Sequence, residues 1–296
     1  MARKPTRSTR SIRSSRTEGG FTLIELLASV GIASIAFAAA STVLSSGRYF
    51  MQVQTQRIET VQALRATIDS LTRDLRLSGA CLPIQGDFAP IDAIDSGTTD
   101  TITSRSGLVR PNLTCIYSAL SADAALNATT VTVASASGFQ AGMAGYIFNP
   151  ITLTGQDLDI TGVSGNTITV TSATKMKQAY SSAAGSASTV YAVERRTFAI
   201  DNTTNPALPA LTISINGATA TQFASGIEAL NIQYRLFRNC PPCDPALDAP
   251  AAADWPLLNE IVINVTARSQ KPDISGNYYR RSAQFIAKPR NLIPTS

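Results

Sequence analysis

The chain has 296 residues, and its net charge of +5 comes from the first twenty, where Arg3, Lys4, Arg7, Arg10, Arg13 and Arg16 face one acid, Glu18. The remainder holds 19 basic and 19 acidic residues, so the sequence pI of about 9.2 describes a leader and does not point to a nucleic-acid-binding body. The absence of histidine excludes Ser-His and Cys-His catalysis and imidazole-ligated metal, while 44% hydrophobic residues is too apolar for a disordered chain.

After the basic leader come Gly19-Gly20, then Phe21-Thr22-Leu23-Ile24-Glu25-Leu26. From Leu26 to Gly47 there are 22 residues without a charge, bounded by Glu25 and Arg48. As a helix this segment is roughly 33 Å long, enough to cross a hydrocarbon core of about 30 Å. The leader cations place the N-terminus in the cytoplasm and everything after Arg48 outside it. An ordinary secretory signal has its small-residue cleavage site after the apolar stretch; here the candidate, Gly20 followed by Phe21, lies before it, so cleavage would remove the charges and keep the helix.

This arrangement, with G-F-T-L-I-E-L at Gly20 to Leu26, resembles the class III leader of type IV pilins and type II secretion pseudopilins. The resemblance implies removal of residues 1–20 by a prepilin peptidase, which also methylates the new amino terminus at Phe21. Glu25 is independently conspicuous. A carboxylate in a spanning helix costs about 2.5–3.5 kcal/mol on insertion scales and calls for a partner. The apolar segment offers no Lys or Arg, but cleavage would create a cationic amine at Phe21, four residues away. The resemblance implies that Glu25 pairs with the Phe21 amine of a neighbouring subunit during assembly. Small residues such as Ala28, Gly31 and Ala36 suit close helix packing.

The helix is expected to continue beyond the membrane half (21–47) through 48–78. Ile58, Val61, Leu64, Ile68, Leu71 and Leu75 recur at spacings of three and four, forming one apolar face. Asp69 and Arg73 form an i,i+4 pair, and Gly79 suits a C-cap. Past Gly79 the signals are strands: Leu113–Tyr117, Thr129–Val133, Thr167–Thr171, Ala210–Ile215, Ile227–Phe237, Glu260–Arg268 and Tyr279–Ala287, the Ile227 and Glu260 runs suiting a sheet centre. The expected class is α+β: a long N-terminal membrane-spanning helix packed on an antiparallel sheet.

Residues 119–192 differ from their flanks. Their only charges are Asp123, Asp157, Asp159, Lys175 and Lys177, and more than half of the span is Ala, Ser, Thr or Gly. With turn signals such as Ser164-Gly165-Asn166, it reads as an inserted small β module, the chain returning to the main sheet near Tyr191–Ile200; Lys177–Ser188 also reads as a flexible spacer. The pilin-like β domain would then comprise 79–118 and 193–296. Asp74-Leu75-Arg76-Leu77-Ser78-Gly79-Ala80-Cys81 is similar to the region after the long helix in PilW-like minor pilins, and the closing strands with Arg290-Asn291 resemble those of PilW-like and J-type pseudopilin sequences.

Cys81, Cys115, Cys240 and Cys243 all fall on the extracytoplasmic side, where disulfides persist, and allow three connectivities. Cys81–Cys115 with Cys240–Cys243 as a local clip is favoured, although Cys81 could instead reach the Cys-Pro-Pro-Cys turn. Prolines 241, 242, 245 and 250 oppose the helix a redox motif needs, and one CxxC without histidine is a poor zinc site. Asp157 and Asp159 read as solvated loop residues rather than calcium ligands. Of the basic doublets Arg195-Arg196 and Arg280-Arg281, each reads as one inward-edge and one solvated charge. No catalytic residue, metal or cofactor is expected, and nucleic acid is not an expected partner.

The resemblance implies a minor pilin that initiates or joins a type IV pilus, anchored in the inner membrane with its C-terminal domain in the periplasm. Implied partners are the prepilin peptidase/N-methyltransferase, other major and minor pilins and the inner-membrane assembly platform. The alternatives are a J-type minor pseudopilin of type II secretion and an adhesin displayed through 119–192.

Overall fold

The computed structural model describes residues 20–86, 88–95, 97, 99–237, 246–248, 250, 257–273 and 275–289. One α-helix, α1 (Leu23–Leu77), runs for 55 residues without a proline. It ends where Gly79 adopts φ +79°, a conformation that only glycine takes without cost. The chain divides into two compact units, residues up to Val53 and residues from Gln54 onward.

Among the described residues of the first unit none is buried, and Leu23, Ile24, Ile35, Phe37 and Val43 are all more than two-thirds exposed. A helix that is apolar all round and covered by nothing is the pattern of a membrane span. Its hydroxyls are satisfied within the helix: Ser34 Oγ donates to the Val30 carbonyl at 2.7 Å, Ser41 to Phe37 at 2.8 Å and Ser46 to Thr42 at 2.8 Å. Such back-bonding lets polar side chains sit in hydrocarbon without an unmet donor.

In the second unit the helix buries Thr60, Leu64, Thr67, Leu71, Asp74 and Leu75. The apolar face therefore holds at Leu64, Leu71 and Leu75 but not at Ile58, which is 56% exposed. At about 100° per residue, Ile58 lies roughly 120° around the helix from Leu64 and Thr60 only about 40°. Thr60 takes the inward position and satisfies its hydroxyl on the Gln56 carbonyl at 2.7 Å. The Asp69–Arg73 pair gives way to another: Arg73 Nε donates to Asp74 at 3.4 Å.

The strands are β1 (Ile91–Ile94), β2 (Thr101–Gly107), β3 (Tyr117–Ala119), β4 (Thr130–Thr132), β5 (Ala144–Asn149), β6 (Thr154–Ser164) and β7 (Thr167–Val170), followed by β8 (Thr189–Asp201), β9 (Ala210–Ile215), β10 (Thr221–Ser225), β11 (Ile227–Leu236), β12 (Leu258–Arg268) and β13 (Arg280–Ala287). All pair antiparallel, so the class is α+β with a long N-terminal helix and antiparallel sheets. β11, β12 and β13 form one sheet with β12 central. The other ten strands form a second sheet, whose path runs β1-β2-β8-β5-β6-β7-β4. Strand β8 is its spine: Thr189–Val193 pairs with β5, Arg196–Asp201 with β9, and β3 and β2 lie along the other edge.

Two main cores follow. Leu64, Leu71 and Leu75 pack with Ile102, Phe198, Leu211 and the inward residues of β11 and β12, including Ile232, Tyr234, Ile261, Ile263 and Val265. Burial pushes the Tyr234 phenol well above its ordinary value, with the charges of Asp92 and Asp100 adding to the effect. A second cluster joins Ile116, Val131, Phe139, Ile147, Leu158, Ile168, Met176, Tyr180 and Val190. It draws almost wholly on the low-charge span. Lys177–Ser188 is not a spacer: Tyr180 is 1% exposed and exchanges backbone hydrogen bonds with Ala124.

Strands β4, β7, β9, β11, β12 and β13 lie close to the runs read from the sequence, whereas β10 has no counterpart among them and Leu113–Tyr117 does not form one strand. Leu113 turns at φ +64° and Cys115 only bridges Val109 before β3 begins. Gly165, at φ +56°, makes the turn of the β6–β7 hairpin, where Ser164 faces Thr167.

Candidate functional site

The N-terminal residues form the first candidate site. Gly20 and Phe21 precede α1 and are exposed, Phe21 by 83%. Thr22 caps the helix: its carbonyl accepts from the Glu25 and Leu26 amides at 3.1 Å each, and its hydroxyl accepts from the Glu25 amide at 3.4 Å. Thr22 and Glu25 thus have the spacing of a capping box, with the carboxylate in the first turn, where the positive end of the helix dipole favours it. The same turn disfavours a cation. A positively charged amine at Phe21 would need a nearby carboxylate, and Glu25 is the only acid in the first turn.

The second site lies at the other end of α1. Cys81 and Cys115 form a disulfide with Cα atoms 5.6 Å apart. Cys240 and Cys243, like Arg290 and Asn291, lie outside the described residues. Gly107 makes room for the bridge: a Cβ there would come within 2.7 Å of Cys81 Cβ and 2.9 Å of the Ala80 carbonyl. Residues 79–86 and 88–90 form a strap whose Leu82 and Phe88 pack on Tyr146, Phe148 and Val193. Phe88 meets Tyr146 edge-on with ring centroids 4.7 Å apart.

Charged residues cluster around this strap. Asp74, buried on α1, receives Arg196 of β8 at 3.2 Å, and Arg196 also donates to Glu194 at 2.5 Å. Burial works against the Arg196 charge, but its bond to Glu194 and the charges of Asp74 and Glu194 outweigh it, so the guanidinium is held above its ordinary value. Asp157 and Asp159 are not loop residues. Both lie on β6, Asp157 pairing with Arg105 at 3.1 Å and Asp159 with Arg195. Both members of the Arg195-Arg196 doublet are thus paired, rather than one being solvated. Among the described residues, no group of three His, Cys, Asp or Glu could hold a metal. The sequence signal that could have found the cluster is the Asp-Leu-Asp alternation at 157–159, which puts two acids on one face of a strand.

Residues 15–41 match the family described as the prokaryotic N-terminal methylation motif. The motif supports a structural subunit of the type IV pilin or pseudopilin kind, processed by a prepilin peptidase and assembled with pilus and membrane components. No curated protein matches the chain. Two solved structures are similar over part of it. The Gp54 tailspike of Acinetobacter baumannii bacteriophage AP22, in complex with A. baumannii capsular saccharide, is 20% identical over 31% of this chain and 15% of its own, with a TM-score of 0.24. The tailspike protein gp49 from Pseudomonas phage LKA1 is 22% identical over 26% of this chain and 14% of its own, with a TM-score of 0.21. The chain therefore spans less than a sixth of either tailspike.

Proposed function

We propose that the chain is a PilW-like minor pilin that helps initiate a type IV pilus or joins it. Processing occurs between Gly20 and Phe21, Phe21 becomes the methylated terminus, and Glu25 binds the Phe21 amine of a neighbouring subunit. The observation that carries this reading is the coincidence of the methylation motif with the first turn of a helix that buries no side chain before Thr60. That exposed length needs a lipid and then a protein surround, which the inner membrane and the filament core supply in turn. The N-terminus lies in the cytoplasm and the β domain in the periplasm before assembly, and the other major and minor pilins and the assembly platform are the partners. Mass spectrometry of protein extracted from membranes should find an N-methylated Phe21 terminus. An intact Met1, or cleavage after Ser46, would reject the assignment.

A second reading concerns residues 119–192, which supply nearly all of a separate hydrophobic cluster. As a module displayed on the pilus, the segment would act as an adhesin without taking part in assembly. Replacing Leu120–Ser188 by a short Gly/Ser linker should then lower surface attachment while pilus number stays constant. Loss of piliation together with loss of the folded β11–β13 sheet would instead make the segment part of the domain's own core.

A further inference from the structure

Arg105 on β2 and Arg195 on β8 stand directly opposite each other in the sheet. Like charges so placed repel, and these are poorly solvated, with side chains 13% and 18% exposed. Their partners come from the inserted segment: Asp157 Oδ2 lies 3.1 Å from Arg105 Nη2, and Asp159 accepts from Arg195. Asp157 Oδ1 and Arg195 Nε are also buried and find no further hydrogen bond among the described residues. The cluster thus keeps one spare acceptor on Asp157 and one spare donor on Arg195.

Arg105 is bound to the strap at the same time. Its carbonyl accepts from the Gly79 amide at 2.9 Å, its amide donates to the Pro90 carbonyl at 2.8 Å, and Nη1 donates to the Ala89 carbonyl at 3.0 Å. One residue therefore holds both ends of the strap that follows α1 and, through Asp157, the inserted β6. Strand β8 adds stiffness, since it runs unbroken from the inserted core at Val190 to the helix-bearing core at Phe198.

We propose that Asp157 and Asp159 are positioning residues that latch the inserted strands to the strap through Arg105 and Arg195, adding a side-chain tie to the β5–β8 ladder that already seats the segment in the sheet. This does not rest on what the segment binds, nor on which apparatus the subunit serves.

The test is segment-resolved hydrogen exchange on the full-length protein in detergent. In the Asp157→Asn, Asp159→Asn double variant, amides of β5, β6 and residues 80–90 should exchange about tenfold faster or more, with β11–β13 unchanged. Asp159→Arg alone should loosen the same segments, and adding Arg195→Asp should bring the rates back to within about threefold of native. Should Asp159→Arg fail to fold, the double asparagine variant decides by itself. Asp92→Asn is the control, because Asp92 is 3.8 Å from Arg105 and more than half exposed. Unchanged exchange in the double variant, no recovery in the charge swap, or equal loosening by Asp92→Asn would each overturn the latch.

Discussion

Glu25→Ala should enter the membrane at least as readily as the native chain and be depleted tenfold or more from sheared filaments, since losing about 1.4 kcal/mol already costs a factor of ten. The two effects have opposite signs because they belong to different steps. During insertion the carboxylate is a liability of about 2.5–3.5 kcal/mol, which alanine removes. During assembly, under the proposed pairing, it is the partner of a cationic Phe21 amine at the positive end of a helix, where a charge without a counter-ion is costly. Thr22 still caps the helix in the variant through its carbonyl and hydroxyl, so α1 should start at the same residue. Glu25→Asp keeps the charge on a shorter arm and should fall between the two. Membrane fractions and sheared filaments probed in parallel separate the steps, and equal incorporation of Glu25→Ala and native protein would refute the pairing.

What could be read in the sequence follows the range of the interactions involved. The span of α1 was legible because its cause is local: a charge-free run, no proline and a glycine where the helix stops. The strands β11 and β12 were legible for the same reason, since one face of each is buried and the alternation is clear. Strand β5 was not, because it is buried on both faces and shows no alternation, and its β-branched and aromatic run is only the three residues after Gly145. An apolar face of Leu, Ile and Val alone omits Thr60 and Thr67; both are buried, and Thr60 returns its hydroxyl to the helix backbone. Asp74 was missed as a buried residue because its partner, Arg196, lies 122 positions away. Asp157 and Asp159 read as loop residues in the sequence on the same ground: nothing in their neighbourhood announces Arg105 and Arg195. The first candidate site, built from Gly20, Phe21 and Glu25, lies within six consecutive residues, so its parts are neighbours in the sequence itself. The second was visible only as two cysteines.

Replacing Cys81 and Cys115 together by serine should lower the stability of the folded protein by about 3–4 kcal/mol in the chain-entropy description, the bridge closing a separation of 34 residues. That is a large part of the roughly 5–15 kcal/mol that holds a typical domain together. For a chain of this size it corresponds to a fall in the melting temperature on the order of 10 °C. The loss should begin locally. The bridge ties the strap to the turn between β2 and β3, and the strap covers Tyr146, Phe148 and Val193 with Leu82 and Phe88. Without it, the cover is held by the packing of Leu82 and Phe88, the Arg105 side chain on the Ala89 carbonyl, and backbone bonds such as Gly79 to the Arg105 carbonyl at 2.9 Å and Gly107 to the Ala80 carbonyl at 2.7 Å. Protease cleavage between residues 79 and 90 should therefore appear in the serine variant at temperatures where β11–β13 remains intact. Peptide mapping of the native protein, alkylated without reduction, should recover the Cys81 and Cys115 peptides joined. Separate alkylated peptides would deny the bridge and, with it, the oxidising compartment that the proposed topology gives this domain; a bridge that forms but leaves the melting temperature unchanged when removed would mean that the packing of Leu82 and Phe88 already holds the strap closed.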